Sequence, residues 1–263
     1  MNLKQLLNEP ALVFSYENTK VLCVADVHVG YEAALKQAGF RVPSQTEKLV
    51  EKIYNLVKRL NAKKLIILGD VKHEMAPSKF TLQECSSFLN QVSSFIDVEI
   101  VKGNHDVGIE KILPKNATLH DSKGIFIAEC GISLLHGHAW PKPELLKAKQ
   151  MIIAHNHPVI EIRDGSGAKW LKPVWMETQL DRMKLLSYIS KKTPPVNDSI
   201  NDGVINLLVM PAFNPLLGGV PLNVNNELLG PLLSRRLVDP DQISLTLLDA
   251  TYIGKLSYLQ RIF

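Results

Sequence analysis

Seven of the eight histidines follow short apolar runs and stand beside aspartate, asparagine or another histidine. In chain order the clusters are Asp26-x-His28, Gly69-Asp70 with His73 just beyond, Gly103-Asn104-His105-Asp106, His136-Gly137-His138 and His155-x-His157. Any one of them is weak, because a lone histidine is more often a satisfied core or surface side chain than a ligand. Together, at successive strand exits, they would bury imidazoles and carboxylates side by side, which is costly unless a cation offsets the charge. Carboxylate, imidazole and amide oxygen without thiolate suit manganese, iron or zinc, with manganese the first choice. So many donors exceed one coordination sphere and suit two ions, with Asp70, between the earlier and later clusters, as the natural bridge. Two such ions roughly 3.5–4 Å apart acidify a shared water and clamp phosphoryl oxygens, the usual device for hydrolysing phosphate esters.

The elements that must position these groups alternate between strand and helix. Residues 20–25 and 65–68 (KVLCVA, LIIL) read as buried strands running into Asp26 and Asp70. Between them Ser44 and Glu47 form an S-x-x-E capping box, followed by a helical face of Leu49, Ile53, Leu56, Val57 and Leu60. Residues 81–95 read as a second helix. DVEIV, IFIAE, ISLL and MIIA follow as strands, the last preceded by a short helix over 143–149. Beyond residue 158 come a hairpin turn at Gly165–Gly167, an amphipathic helix over 180–192, a polar loop over 193–203 and late strands in INLLVM, ISLTLLD and TYIGKL. This alternation predicts an α/β sheet with its functional groups at the carboxyl ends of the strands. There is no internal repeat or low-complexity linker, so residues 1–263 are read as one domain.

With these motifs the sequence resembles the calcineurin-like metallophosphoesterase superfamily over residues 26–157. The resemblance implies a four-layer αββα sandwich of two mixed sheets flanked by helices. It also implies a first metal held by Asp26, His28, Asp70 and His157 and a second held by Asp70, Asn104, His136 and His155. His105 would face substrate and protonate or steady the leaving oxygen, with Asp106 fixing that loop and His73 counted with the catalytic group. His138 would be left for substrate, and the usual glycine before the last histidine pair is Ala154, a replacement expected to matter little. The string GDVKHEMAPS is similar to the G-D-x-x-H-x-x-x-P-S pattern of SbcD-type nucleases. Together with MPAFNPLLGG it resembles an archaeal SbcD-related phosphoesterase family, similar also to bacterial ligase-associated metallophosphoesterases. In the serine/threonine phosphatase branch an arginine after the bridging aspartate grips a phosphomonoester; here His73 and Glu74 stand in its place, and Glu74 would repel a dianion if it points inward.

Net charge is +4, too small to argue for nucleic acid by itself. Between Pro141 and Thr193, however, ten Lys or Arg face five Asp or Glu, and all three tryptophans lie in or beside this stretch. Lys169, Trp170 and Lys172 are the candidates for tracking phosphates and stacking on single-stranded ends, whereas Trp175 reads as core packing. His120 reads as structural. Three cysteines with no CxxC pattern fit reduced thiols and a cytoplasmic protein. No apolar stretch reaches membrane-spanning length, and the N-terminus, with one lysine and an early Glu-Pro, is unlike a signal peptide. The expectation is therefore a two-metal phosphoesterase acting on phosphodiesters in DNA or RNA, with repair proteins as possible partners. The alternatives are a small-molecule phosphodiesterase or phosphomonoesterase, and a metal-binding scaffold without turnover.

Overall fold

The computed structural model describes residues 3–76, 78–190, 202–225, 227–234 and 237–262. The first half contains β1 (Lys4–Gln5), β2 (Ala11–Tyr16), β3 (Thr19–Val24), α1 (Tyr31–Gln37), α2 (Thr46–Leu60), β4 (Lys64–Leu68), α3 (Lys79–Ser93), β5 (Asp97–Val101) and β6 (Ala117–His120). The second half contains β7 (Ile125–Ile127), β8 (Ile132–Leu134), β9 (Gln150–Ile153), β10 (Pro158–Arg163), β11 (Lys169–Asp181), α4 (Arg182–Ile189), β12 (Val204–Val209), β13 (Val220–Pro221), β14 (Ser244–Leu247), β15 (Tyr252–Lys255) and α5 (Leu256–Ile262).

Strands β1 to β6 lie in sequence order in one sheet, antiparallel as far as β3 and parallel from β3 to β6. The other sheet runs β13-β10-β11-β12-β9-β8-β7, with β14 and β15 added on β11. It is mixed, and its β8, β9 and β12 are parallel neighbours.

Three apolar layers hold these sheets and helices together. Leu65 and Ile67 of β4 pack with Leu49, Ile53, Leu56, Phe88 and Leu89 of α2 and α3, whereas Ile66 and Leu68 point the other way. There they meet Ile132, Leu134, Ile152 and Trp175 of the facing sheet. A strand buried on both faces needs apolar residues at every position, which is why LIIL does not alternate. On the far side of the second sheet, Met151, Ile153, Met176 and Leu180 pack with Leu185 and Ile189 of α4 and with Leu256 and Leu259 of α5. The result is the four-layer αββα sandwich.

The expected capping box does not form. Helix α2 starts at Thr46, with Gln45 at its cap and no capping side chain. Ser44 instead donates to Glu84 of α3 (2.9 Å), and the Gln45 N–H donates to Glu32 of α1 (2.6 Å). Glu32, from a neighbouring helix, takes the acceptor role expected of Glu47, while Ser44 Oγ accepts from the Thr46 N–H (3.3 Å). Helix α4 is shorter than the pattern implied and is capped by Asp181, which accepts from the Lys184 N–H (2.7 Å). Lys191, Lys192 and the polar loop's residues 193–201 lie outside the described residues.

Candidate metal centre

Each cluster sits where a strand gives out. Asp26 and His28 follow β3, Asp70 follows β4, and Asn104 and His105 follow β5, so three adjacent parallel strands deliver their groups side by side. His136 follows β8, while His155 and His157 follow β9, from the facing sheet. Five of these residues have left-handed backbones: Asp26 (φ 54°), His28 (φ 44°), Asp70 (φ 49°), His155 (φ 71°) and His157 (φ 42°). That conformation costs a residue with a Cβ roughly 1–2 kcal/mol, so it persists only where the surroundings enforce it. Here the loops lock one another. The His28 N–H donates to the Asp70 carbonyl (2.8 Å), the His105 N–H to Asp70 Oδ1 (2.9 Å) and the His155 N–H to Asp26 Oδ2 (3.2 Å).

Besides an all-imidazole group of His28, His73 and His105, the side chains gather in two carboxylate-bearing groups that could each hold a cation: Asp26, His28 and His157, and Asp70, His136 and His155, with donor atoms within 4.8 Å of one another in each. Asp70 Oδ2 lies between them, 3.5 Å from His28 Nε2 and 3.2 Å from His136 Nε2. Asn104 Oδ1 is 3.1 Å from the same His136 nitrogen. His136 donates from Nδ1 to the Leu68 carbonyl (3.0 Å), which leaves Nε2 as the inward donor atom. Gly103 makes the packing possible, because a Cβ there would lie 2.1 Å from Asp70 Oδ1.

A cation fits this set. Among the described residues, Asp26 Oδ1, His28 Nε2 and His157 Nε2 are buried without hydrogen-bond partners. His157 Nε2 lies 3.3 Å from Asp26 Oδ1 without hydrogen-bond geometry, and it is the charge proximity that matters. Burial pushes His28 down to about 3 and His155 to about 4, so both are neutral donors near pH 7. Burial would raise Asp26 and Asp70, but the adjacent imidazoles more than offset it and both carboxyls end below their ordinary range. Burial also works against a charged His136, yet Asp70 and Asp26 raise it to about 9; its extra proton is the one a metal would displace.

The sequence matches the model of the calcineurin-like phosphoesterase family over residues 19–193. The chain belongs to that family. It is accordingly a metal-dependent phosphoric ester hydrolase that uses divalent metals. No curated protein matches the sequence significantly. Among solved structures, this phosphoesterase is similar to a nuclease MPE from Pseudomonas putida, at 17% identity over 92% of this chain and 100% of the other, with a TM-score of 0.49. It is also similar to a Vps29 double mutant from Entamoeba histolytica (15% identity, 76% and 81% covered, TM-score 0.30). A third is a conserved protein from Streptococcus pneumoniae described as a predicted phosphoesterase (11% identity, 88% and 91% covered, TM-score 0.31). Among the described residues no helix is long and apolar enough to cross a membrane.

The remaining site candidates of the phosphoesterase fall into different places. His105 donates through Nδ1 to the His73 carbonyl, which turns Nε2 toward Asp70 Oδ2 at 4.0 Å, and 26% of its side chain is exposed. The His73 ring backs His28, with their Nδ1 atoms 3.2 Å apart, and lies nearly parallel to His105 at 5.6 Å. Asp106, which the resemblance gives the task of fixing its loop, is turned into the protein as a positioning residue. It is fully buried and accepts from the Val71 (2.9 Å), Lys72 (3.3 Å) and Gly103 (2.9 Å) N–H groups, riveting the Asp70 loop to the Asn104 loop. His138 stands outside both groups, with its ring 5.2 Å from that of His136. Ala154 is buried between the sheets without a left-handed backbone, so a side chain is tolerated there.

Glu74 does not point inward: its Oε2 accepts from the Ser78 N–H (3.2 Å) and the Thr81 hydroxyl (3.1 Å) at the start of α3. Lys169, Trp170 and Lys172 lie on the β10–β11 hairpin, where Lys169 pairs with Arg163, six residues past His157, or about 20 Å along the strand. Trp170 is 56% exposed there, and Lys169 is shared with Glu161 (3.4 Å). The basic stretch is not one patch, because Lys142 pairs with Asp121 (2.8 Å) and Arg182 binds the Ala148 carbonyl (3.0 Å). Trp175 is core, and His120 donates from Nε2 to Glu99 (2.9 Å), away from the metal groups.

Sequence reasoning passed over three buried polar residues. Asn214 donates to the Val27 carbonyl (3.0 Å) behind Asp26 and His28. Asn156, between the last two histidines, exchanges hydrogen bonds with Leu229 (3.1 and 2.8 Å). Lys72 is the third. The only sequence signal for the first was the FNP in residues 213–215; nothing marked the other two.

Proposed function

We propose that this enzyme hydrolyses phosphodiester bonds in nucleic acid with two divalent cations, manganese being the first choice for the donor set. Asp26, His28, Asp70 and His157 would hold one, and Asp70, Asn104, His136 and His155 the other. Bound there, the pair supplies an acidified water and offsets charge on the phosphoryl oxygens. The chain's own groups do the rest. His105 presents Nε2 to the leaving oxygen and delivers its proton, His73 holds His28 in place, and His138 lines the approach for substrate.

The observation that carries the diester preference is the segment after Asp70. A phosphomonoester brings one more negative charge than a diester, and this segment offers it no cation: Lys72 is turned into the protein and Glu74 toward α3. A diester asks for less charge and brings a second arm, for which the β10–β11 hairpin with Lys169, Trp170 and Lys172 is a track. The string GDVKHEMAPS and the FNPLLGG segment support placement in the archaeal SbcD-related branch, as one cytoplasmic domain that works on DNA or RNA alongside repair proteins. The test is a manganese-supplemented assay comparing a nitrophenyl diester, a nitrophenyl monoester, and single- and double-stranded DNA and RNA. Cleavage of diesters and nucleic acid above the monoester is expected. Strong monoesterase activity with no affinity for DNA or RNA at low salt would overturn the reading in favour of a small-molecule substrate.

A further inference from the structure

Lys72 has no exposed surface, although it lies only two residues beyond Asp70. Lysine is almost never fully buried unless its donors are met. Its ammonium has three donors and meets three main-chain carbonyls: Glu74 at 2.7 Å, Met75 at 3.3 Å and His105. The first two belong to its own loop, which follows β4; the third belongs to the neighbouring loop, which follows β5. Lys72 is thus a cross-tie between the loop that carries Asp70 and the loop that carries His105.

His105 is bound to the same partner loop in two further ways. Its N–H donates to Asp70 Oδ1 (2.9 Å), and its ring donates from Nδ1 to the His73 carbonyl. Ring, amide and carbonyl of His105 are therefore all referred to residues 70–75. The His73 carbonyl that orients the ring lies one residue from Lys72 and one from Glu74, inside the span that the ammonium gathers. Without the ammonium, three carbonyls would face one another unpaired in a partly buried place, and residues 73–75 would move apart. The ring of His105 would follow the His73 carbonyl.

We propose that Lys72 is a positioning residue that aims His105 Nε2 at the leaving oxygen by holding the two loops together through their carbonyls. The proposal rests on His105 being the leaving-group acid. Metal ligation is a separate matter, because the ligand groups are locked by their own contacts with Asp26, Asp70 and Leu68.

The test uses the full-length manganese-loaded enzyme with Lys72→Met and Lys72→Gln, each also made in a His105→Ala background. Rates are compared on a nitrophenyl diester, whose leaving group needs little protonation, and on an alkyl diester, which needs it most. A displacement near 1 Å costs on the order of 10²-fold. Lys72→Met should therefore lose about that factor in kcat on the alkyl diester and only a few-fold on the nitrophenyl diester. Metal content should match the wild type, and no further loss should appear on top of His105→Ala. The glutamine, with two N–H donors, should recover part of the alkyl-diester rate. Equal loss on both substrates, full additivity with His105→Ala, or no loss at all would overturn the proposal. So would failure of both variants to fold, which would make Lys72 a folding requirement. If His105→Ala alone shows no leaving-group selectivity, the acid assignment falls and the proposal with it. If that selectivity is present but the Lys72 variants lack it, the proposal falls by itself.

Discussion

Gly69 and Gly108 share a backbone angle, φ +78°, but not a neighbourhood. A Cβ on Gly69 would lie 2.2 Å from His136 Nδ1 and 2.4 Å from its Cγ, whereas a Cβ on Gly108 would meet nothing within 4 Å among the described residues. Alanine at either site carries the left-handed strain of roughly 1–2 kcal/mol. At Gly69 the imidazole must also withdraw by at least about 1 Å to restore ordinary contact. It has no room to do so, being fully buried, bonded to the Leu68 carbonyl and 3.2 Å from Asp70 Oδ2. Overpacking of this kind adds roughly 1–3 kcal/mol. At about 2 °C per kcal/mol for a chain of this size, Gly108→Ala should lower Tm by about 2–4 °C and Gly69→Ala by about 4–10 °C. Thermal melts in chelator measure that difference without metal. Calorimetric titration with manganese should then show affinity weakened by about 10–100-fold in Gly69→Ala alone, as expected when a ligand is forced off its position. Equal melting losses in the two variants, or wild-type manganese affinity in Gly69→Ala, would refute the placement of His136 against this glycine.

Asp70→Asn should reduce bound metal in both groups and His157→Ala mainly in one, as counted by mass spectrometry of manganese-saturated protein; equal stoichiometry in the two variants would count against a bridging Asp70. Glu99 accepts from His120 and Lys64, and these bonds hold its carboxyl down at about 2 against an ordinary 4.5. Because the folded-state value is the depressed one, its contribution is complete above about pH 4.5 and is lost as pH falls from there toward 2. Glu99→Gln should then cost about 1–2 kcal/mol at pH 7 after screening, and urea melts should show a shallower acid decline; an unchanged acid limb would remove this pair from the stability of the fold. Lys169 and Lys172, changed together to Gln, should flatten the salt dependence of nucleic-acid binding while hydrolysis of a small diester stays as it was, as read from binding isotherms at several salt concentrations.

Much of the first sheet was legible because its requirements are local and one-sided. A strand buried on both faces must be apolar throughout, and LIIL is; a helix covering it must repeat its apolar residues on one face, and α2 does. The clustered donors were legible because cation chemistry restricts residue type. Short or late elements were harder. Strand β6 has only four residues, and β10, which begins immediately after His157, is signalled in the sequence only by the hairpin turn that follows it. The capping box failed because Glu32 and Glu84 arrive from other helices, which no window around Ser44 contains. Lys72 and Glu74 carried no local sign of their partners, which are carbonyls, an N–H and a hydroxyl that come together only when two loops and α3 have met. The left-handed backbones at five donor positions had no signal either, since none of the five is glycine.

The donor set straddles the central apolar layer: Asp26, Asp70 and Asn104 come from one sheet, and His136, His155 and His157 from the other. The centre therefore works as a gauge of how the two halves of the sandwich are seated. A slide of a few tenths of an ångström along that seam would leave either sheet intact and still separate the two sets of donors. Substitutions at Phe14 or Trp175, deep in the seam, would then register first as altered metal affinity, before any change in the fold itself.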